Sequence, residues 1–162
     1  LEADQEVNWD SDCKTKHVLS LMDENNASKI ANAVADGGRM HGTLFRRMRK
    51  DGAGKSVQRA EVRFDGLAGC LRVPRGGSSK LTVLQVDEGR IRTRLATPRE
   101  CARLMGLDDR FLLPPMDNDA YRVTGDGVVV DKVRFLRDRL FNRLLNSLDQ
   151  LSVEAHRKAV AL

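Results

Sequence analysis

The sequence has few aromatic residues and few cysteines, and both shortages exclude kinds of site. One Trp, one Tyr and five Phe among 162 residues leave little surface on which nucleic-acid bases could stack. The three cysteines are widely spaced and form no Cys-x-x-Cys pair or Cys/His cluster, so no metal site is expected. No apolar run is long enough to span a membrane, and no signal sequence is recognisable. We therefore expect a cytoplasmic location.

Positive charge is concentrated in one part of the chain. The formal net charge is +5, but residues 39–80 alone hold 11 Lys or Arg and only 3 Asp or Glu. The remaining residues hold 17 basic and 20 acidic side chains. A basic segment on a slightly acidic body is typical of a surface that contacts nucleic-acid phosphates. The alternative is a solvated basic face that binds nothing.

Residues 1–38 are predicted to be mainly helical. Residues 18–22 fit a short helix, and Asn26 is expected to cap a second helix over residues 27–35. Residues 1–13 are acidic and polar around a lone Trp, Trp9. This Trp could dock onto the body of the protein, but such a segment is more often a loosely held lead-in, which is what we expect here.

Residues 39–93 are predicted to be rich in strands. The candidate strands are residues 43–45, 57–64, 67–73, 81–86 and 90–94. A Gly-rich, charged turn at 50–55 separates the first two, and Asp87-Glu88-Gly89 separates the last two. The strand pattern therefore predicts two hairpins.

A flexible cationic loop is predicted at residues 74–80, which read Pro-Arg-Gly-Gly-Ser-Ser-Lys. The loop lacks the Gly-Lys-Ser/Thr order of a nucleotide-binding P-loop. Its small residues would let backbone N–H groups approach an anion, and Arg75 and Lys80 flank them. A DNA strand fits this loop better than a free nucleotide does. A plain hairpin loop is equally compatible with the sequence.

A helix over residues 97–105 has strong start and stop signals. Thr97 can serve as its N-cap, Pro98 suits its first position, and Glu100 completes a capping box. Gly106 can end it in a left-handed conformation. Cys101 would lie on its apolar face, where a packing role is expected.

Two further helices are predicted near the C-terminus. Residues 118–123 fit one helical turn, and residues 128–148 fit the longest helix of the chain. The long helix carries an apolar stripe at spacings of three or four residues, which comprises Val129, Val133, Leu136, Leu140, Leu144 and Leu148.

Three stretches resemble motifs of the DNA cytosine carbon-5 methyltransferases. The ninth motif of that family is similar to Arg94-Leu-x-x-x-Arg99-Glu100-x-Ala102-Arg103-Leu104-x-Gly106. Its tenth motif is similar to Ala120-Tyr121-Arg122-x-x-Gly125-Asp126-Gly127-Val128-Val129-Val130. The end of its target-recognition region is similar to Arg63-Phe64-Asp65-Gly66 with Cys70-Leu71-Arg72, where the family often has Thr-Leu. The resemblance is specific from about Arg63 to Leu140.

Three other motifs of that family do not occur in this sequence. They are the Gly-rich cofactor motif, the Pro-Cys nucleophile motif and the Glu-Asn-Val motif, and all precede the recognition region in the family. The sequence also begins with Leu1 rather than Met. We therefore expect the C-terminal part, or the small subunit, of a methyltransferase, and we assign no catalytic residue. Cys70 is expected to be a buried filler in a strand.

The resemblance implies an α+β fold. A small strand-rich recognition region would be followed by a capped helix and a long C-terminal helix, which packs on a missing Rossmann-like methyltransferase domain. The implied segments are a helical lead-in (1–38), a target-recognition region that binds DNA (39–93), a closing segment (94–150) and a tail (151–162). The ninth-motif residues Arg99, Glu100 and Arg103 are expected to pair internally first and to contact DNA second.

The resemblance also implies a cofactor and partners. S-adenosylmethionine would be the methyl donor of the complete enzyme, and this chain alone would bind it weakly or not at all. The residues expected at the donor are Gly125, Asp126, Gly127 and Val128, although Asp126 stands where the family usually has Asn. The partners would be double-stranded DNA and the N-terminal catalytic half, in a bacterial cytosol or nucleoid.

Charge, loop composition and the resemblance together select the residues expected to bind DNA. They are Arg46, Arg47, Arg49, Lys50, Arg63, Arg72, Arg75, Gly76, Gly77, Ser78 and Lys80. Two alternatives remain open. One is a stand-alone DNA-binding module without a catalytic partner, and the other is a regulatory interaction protein derived from such an enzyme.

Overall fold

A computed structural model describes residues 1–73, 80–148 and 150, and within them a four-stranded antiparallel sheet carries helices on both faces. The α+β class is confirmed. The strands are β1 (Met40–Lys50), β2 (Ser56–Arg63), β3 (Thr82–Asp87) and β4 (Arg90–Leu95). The helices are α1 (Asp12–Ser20), α2 (Glu24–Ala35), α3 (Pro98–Leu104), α4 (Asp117–Asp126) and α5 (Val130–Leu136). Within those ranges, no helix is both long enough and apolar enough to cross a membrane.

The sheet order is β2-β1-β3-β4, and its register leaves part of β1 unsupported by β3. β1 pairs with β3 only between Met40 and Leu44, whereas it pairs with β2 from Thr43 to Lys50. Residues 45–61 therefore project past β3 as a two-stranded ribbon, here called the hairpin arm. Both predicted hairpins are confirmed, and β1 is longer than predicted.

Helices α1 and α2 cover one face of the sheet. Their side chains meet buried residues of β1, β2 and β3 in one apolar cluster, which comprises Val18, Ile30, Ala33, Leu44, Ala60, Val62, Leu84 and Val86. The prediction that Asn26 caps α2 is wrong, because Asp23 accepts the Asn26 N–H at 2.8 Å and α2 begins at Glu24. Asn26 is buried, and its side-chain oxygen accepts a hydrogen bond from the N–H of Val62.

The prediction of a loosely held lead-in is wrong, because the first residues dock against β4. The Arg92 guanidinium lies 4.1 Å from the centroid of the Trp9 ring, and Arg92 also pairs with Asp4. The backbone N–H of Asp10 donates to the carbonyl of Thr93 at 2.8 Å. The cation–π contact and the backbone hydrogen bond together hold residues that were predicted from the sequence to be loosely held.

Helices α3 and α4 cover the opposite face. Leu81, Val83, Ala96, Cys101 and Tyr121 form its buried cluster. The predicted strand over residues 67–73 is absent, and these residues form an irregular segment. A Cβ atom on Gly69 would lie 2.3 Å from the Phe45 ring, so this segment lies directly on β1. Cys70 is exposed in that segment, so its predicted burial in a strand is also wrong.

The long C-terminal helix is interrupted by a π-helical turn. α5 is followed by the π turn Arg137–Phe141, and residues 142–148 are α-helical again. α4 is longer than the single turn predicted. The tail at 151–162 lies outside the described residues.

Candidate nucleic-acid interface

Three arginines of the hairpin arm lie close to one another on one face, and two of them share one carboxylate. Arg47 and Arg49 lie two residues apart on β1, so they share a face, and Arg59 of β2 stands directly opposite Arg47 in the register. Glu61 lies 3.7 Å from Arg47, and it accepts a hydrogen bond from Arg49 Nε at 2.8 Å. Like charges placed directly opposite destabilise a strand pair, and Glu61 can balance only one of the two guanidiniums that contact it. This face of the arm therefore favours a further anion.

The other face of the arm also carries cations. Arg46 stands opposite the buried Ala60, and Lys50 pairs with Ser56 at the end of the ribbon. A two-stranded ribbon is narrow enough to enter the major groove of B-DNA. The four arm residues predicted to bind DNA thus lie on one strand of the ribbon, two on each of its faces.

The remaining predicted DNA-binding residues lie beyond the arm. Arg63 ends β2 and pairs with Asp65 at 2.6 Å. Arg72 is exposed at the end of the irregular segment over residues 67–73. Phe45 contacts this segment and lies two residues before Arg47, so the segment is on the same side of the sheet as the three arginines of the arm.

Lys80 lies against α4 rather than in open solvent. Its Nζ atom is 4.2 Å from the centroid of the Tyr121 ring and donates to Asn118 Oδ1 at 3.2 Å. Arg75, Gly76, Gly77 and Ser78 fall outside the described residues. Sequence reasoning did not select Asn118 or Tyr121. Asn118 and Tyr121 are three residues apart, and Gly125 follows Tyr121 by four. This helical spacing could have grouped the three residues on one helix face.

The ninth-motif residues form internal contacts, as predicted, but with partners the sequence does not reveal. Glu100 pairs with the buried Arg94, not with its neighbour Arg99. Arg99 donates to the carbonyl of Phe111 at 2.9 Å, and Arg103 pairs with Asp109 at 2.7 Å. These contacts connect β4, α3 and the loop that follows α3, so the motif acts as a scaffold in this structure.

Glu100 is held as a carboxylate. Burial raises its pKa, but hydrogen bonds from Arg94 and from the backbone N–H groups of Glu2 and Thr97 outweigh burial and lower the pKa to about 2. Thr97 and Glu100 form the predicted capping box, and Pro98 begins α3. Gly106 ends the helix with a φ of 76°.

Cys101 is not an activated nucleophile. Burial raises the pKa of the Cys101 thiol to about 12, and the nearby Glu100 carboxylate adds to this effect. Cys101 is therefore a packing residue, as predicted. Among the described residues, no group of three or more His, Cys, Asp or Glu is arranged to hold a metal ion.

The segment predicted to approach the methyl donor joins α4 to α5. A Cβ atom on Gly125 would lie 2.5 Å from the backbone nitrogen of Val73, and one on Gly127 would lie 2.8 Å from the carbonyl oxygen of Val123. Protein packing therefore explains both glycines. Asp126 and Val128 are both exposed, two positions apart in the chain, and offer a carboxylate and an apolar group to solvent.

A cleft of about 340 Å³ opens between the sheet and α3. Leu67, Leu81 and Val83 contribute apolar walls, and Arg63 and Glu100 also line it.

Comparison with known proteins gives one family and several partial relatives. A sequence model of the C-5 cytosine-specific DNA methylase family matches residues 4–142. The chain is 46% identical to type II methyltransferase M.BanI of Aneurinibacillus aneurinilyticus over 55 residues, which are 34% of this chain and 13% of that protein. It is 41% identical to M.HgiCI of Herpetosiphon aurantiacus over 63 residues, which are 35% of this chain and 15% of that protein.

A third relative, type II methyltransferase M.DsaV of Dactylococcopsis salina, is 35% identical over 57 residues, which are 35% of this chain and 16% of that protein. Each alignment therefore covers only a small part of the curated relative. No solved structure matches the chain.

Proposed function

The chain belongs to the C-5 cytosine-specific DNA methylase family, and from that premise we propose that it supplies the DNA-recognition and cofactor-closing portion of a DNA cytosine-5 methyltransferase. The complete enzyme uses S-adenosylmethionine, and its catalytic cysteine lies on an N-terminal part. We place this enzyme in a restriction-modification system, with double-stranded DNA as its substrate. Residues 39–93 form the target-recognition region, and residues 94–150 close the methyltransferase domain.

The hairpin arm carries the proposal. Arg47 and Arg49 share one neutralising carboxylate, Glu61, and Arg59 adds a positive charge directly opposite Arg47, on a ribbon that extends past β3. An exposed ion pair contributes about 0–1 kcal/mol, so a DNA phosphate can replace Glu61 as the partner of a guanidinium at little cost. Binding then releases the counterions condensed on DNA, which supplies sequence-independent affinity.

The reaction explains why a DNA-holding portion is needed. The ring carbon of cytosine is unreachable inside the base stack, so the enzyme must flip the target base out of the duplex. The residues of this chain hold the phosphates on either side of the extruded base and keep the duplex oriented toward the catalytic half. S-adenosylmethionine supplies the methyl group when it is bound.

The exposed pair Asp126 and Val128 fits one wall of a donor site. A carboxylate accepts hydrogen bonds from hydroxyl and amino groups, and S-adenosylmethionine carries both. Val128 offers an adjacent apolar contact. The rest of the donor site is expected on the catalytic half, because Gly125 and Gly127 pack against protein atoms.

The C-terminal helix supports a partner. Val133, Leu136 and Leu140 are 49%, 46% and 47% exposed, so the described residues leave about half of each of these side chains uncovered. Full burial of one large apolar side chain contributes about 1.5–3 kcal/mol. Contact with a Rossmann-like catalytic half would bury the stripe and place Asp126 at the junction of the two parts.

Reconstitution tests the proposal. The chain is mixed with a separately produced N-terminal part that carries the Pro-Cys motif, and transfer of labelled methyl groups to cytosine in duplex DNA is measured. We expect activity only in the mixture. A charge-reversed arm, with Arg47→Glu and Arg49→Glu, should lose activity, whereas Arg110→Glu and Arg122→Glu should retain it.

The stand-alone module makes a different prediction. A chain that binds duplex DNA but neither associates with the catalytic half nor supports methyl transfer would favour that alternative. A chain that binds no duplex DNA, alone or in the mixture, would contradict both.

A further inference from the structure

Three residues of α4 face the two chain segments that flank residues 74–79. Asn118, Tyr121 and Gly125 occupy positions i, i+3 and i+7, so they lie on one side of the helix. Gly125 contacts Arg72 and Val73 before the flanked residues, and the other two contact Lys80 after them. We call Asn118, Tyr121 and Gly125 the α4 face.

The first contact is between main chains. A Cβ atom on Gly125 would lie 2.5 Å from the nitrogen of Val73 and 2.6 Å from the carbonyl carbon of Arg72. The Arg72–Val73 peptide therefore rests directly on the Cα atom of Gly125. Any larger residue at this position has to displace backbone atoms, because no flexible side chain is there to move aside.

The second contact fixes a cation. The Lys80 ammonium lies over the Tyr121 ring and donates to the Asn118 amide oxygen. Two groups of one helix therefore fix the position of the Lys80 side chain. Because Asn118 is exposed, its amide can be removed without disturbing the core. The Lys80 charge would remain after such a change.

α4 is itself fixed to the core and to the segment that follows it. The Tyr121 hydroxyl is buried and donates to the carbonyl of Ala96 at 2.6 Å. The N–H of Val130, at the start of α5, donates to the carbonyl of Met105 at 2.8 Å. A displacement of Gly125 therefore cannot be absorbed freely and is transmitted to Asp126 and the residues after it.

We propose that the α4 face positions Arg72 and Lys80 for DNA and couples their position to residues 126–128. This inference rests on the proposed function, which assigns DNA to the first pair and the methyl donor to the second segment. DNA that presses the Arg72–Val73 peptide against Gly125 shifts Gly125, and Gly125 shifts Asp126. Coupling of this kind acts equally in both directions, so the donor side also influences DNA affinity.

Backbone NMR of the isotopically labelled chain, titrated with short mixed-sequence duplex DNA, tests the coupling. We expect the amide signals of Val73 and of residues 126–128 to move along the same titration curve, although residues 126–128 are not assigned to DNA. In Gly125→Ala the amide signals of residues 126–128 should no longer move when DNA is added, and DNA affinity should fall about fivefold or more. Gly38→Ala is the matched control, because nothing lies within 4 Å of its added Cβ.

A milder variant protects the test against misfolding. Asn118→Ala removes the acceptor of Lys80 but keeps the Lys80 charge, so it should lower DNA affinity without changing thermal stability. Asn25→Ala, at another exposed helix position, should change neither. A merely structural role for Asn118 would leave the DNA response of residues 126–128 intact.

The outcomes separate the two proposals. If the wild-type chain binds the duplex while residues 126–128 stay unchanged, or if Gly125→Ala binds like Gly38→Ala, the coupling is wrong and the proposed function stands. If the wild-type chain binds no duplex, either alone or mixed with the catalytic half, the proposed function fails and the coupling fails with it.

Discussion

Arg94 and Glu100 form a buried, two-pronged ion pair that joins the end of β4 to the first turn of α3. Arg94 Nη1 lies 2.7 Å from Glu100 Oε2, and Arg94 Nη2 lies 2.8 Å from Glu100 Oε1. The two side chains are only 2% and 3% exposed. Removing one partner would leave the other charge buried and unpaired, which costs about 3–5 kcal/mol.

We predict that this pair makes stability depend on acidic pH. The folded-state pKa of Glu100 is about 2, below its ordinary value of 4.5, so its contribution is complete above the ordinary value. The contribution is lost as the pH falls toward 2. Urea unfolding measured across this range should show the loss in the wild type and a weaker one in Glu100→Gln, which should also be less stable at neutral pH.

Glu24→Gln is the matched control for that measurement, because Glu24 is exposed in the first turn of α2. Its pH profile should follow the wild type. A Glu100→Gln profile that is as steep as the wild type would assign the acid sensitivity to other carboxylates.

We predict salt-sensitive binding of duplex DNA through the hairpin arm. Replacing Arg46, Arg47 and Arg49 with Ala removes up to three phosphate partners, so the slope of log affinity against log salt should fall by about 0.9 for each phosphate that is no longer neutralised. Fluorescence anisotropy with a labelled duplex over a range of salt concentrations measures the slope. The control replaces Arg110, Arg122 and Arg137, which removes the same charge from exposed positions elsewhere. Equal slopes in both triple variants would place the DNA surface outside the arm.

We predict that the chain alone does not methylate DNA. Cys101 is buried and its raised pKa keeps it a thiol, while Cys70 is exposed but does not follow a proline. Incubation of the purified chain with labelled S-adenosylmethionine and duplex DNA should transfer no label. If label does appear and Cys70→Ser abolishes it, Cys70 becomes the candidate nucleophile.

We predict that the exposed stripe makes the isolated chain self-associate. Val133→Gln, Leu136→Gln and Leu140→Gln together should lower its mass in solution and its binding of an apolar dye. Thermal stability should change little, because these side chains are already about half exposed and Gln is a good helix former.

Exposed apolar residues outside the stripe provide the comparison. The triple variant Met48→Gln, Leu112→Gln and Met116→Gln should leave the mass in solution unchanged. A wild-type chain that is strictly monomeric and binds no dye would remove the support that the stripe gives to a split enzyme.

Local signals predicted the elements that depend on local physics. The capping box at Thr97 and Glu100 needs only residues three apart, and its helix is present as predicted. The turn at Glu88 and Gly89 has both residues at positive φ, which the sequence Asp-Glu-Gly signals through its glycine.

Contacts between distant residues were not predictable in this way. The pairing of Glu100 with Arg94 rather than Arg99 depends on how β4 meets α3, and the docking of Trp9 depends on Arg92, far along the chain. Residues 67–73 have strand-like composition but take an irregular path, because Gly69 lies on the Phe45 ring and no described strand pairs with the segment. The DNA and donor roles of the predicted site residues stay predictions.

The short overlap between the partners of β1 has a consequence for how this protein can diversify. In β1, only Thr43 and Leu44 pair with both β2 and β3 among the described strands. The β1 residues after Leu44 pair with β2 alone. Residues 46–58 can be exchanged as a cassette while Ala60 and Val62 keep their places under α1 and α2. Under the proposed function, such an exchange would let new target sequences evolve on the arm without a new scaffold.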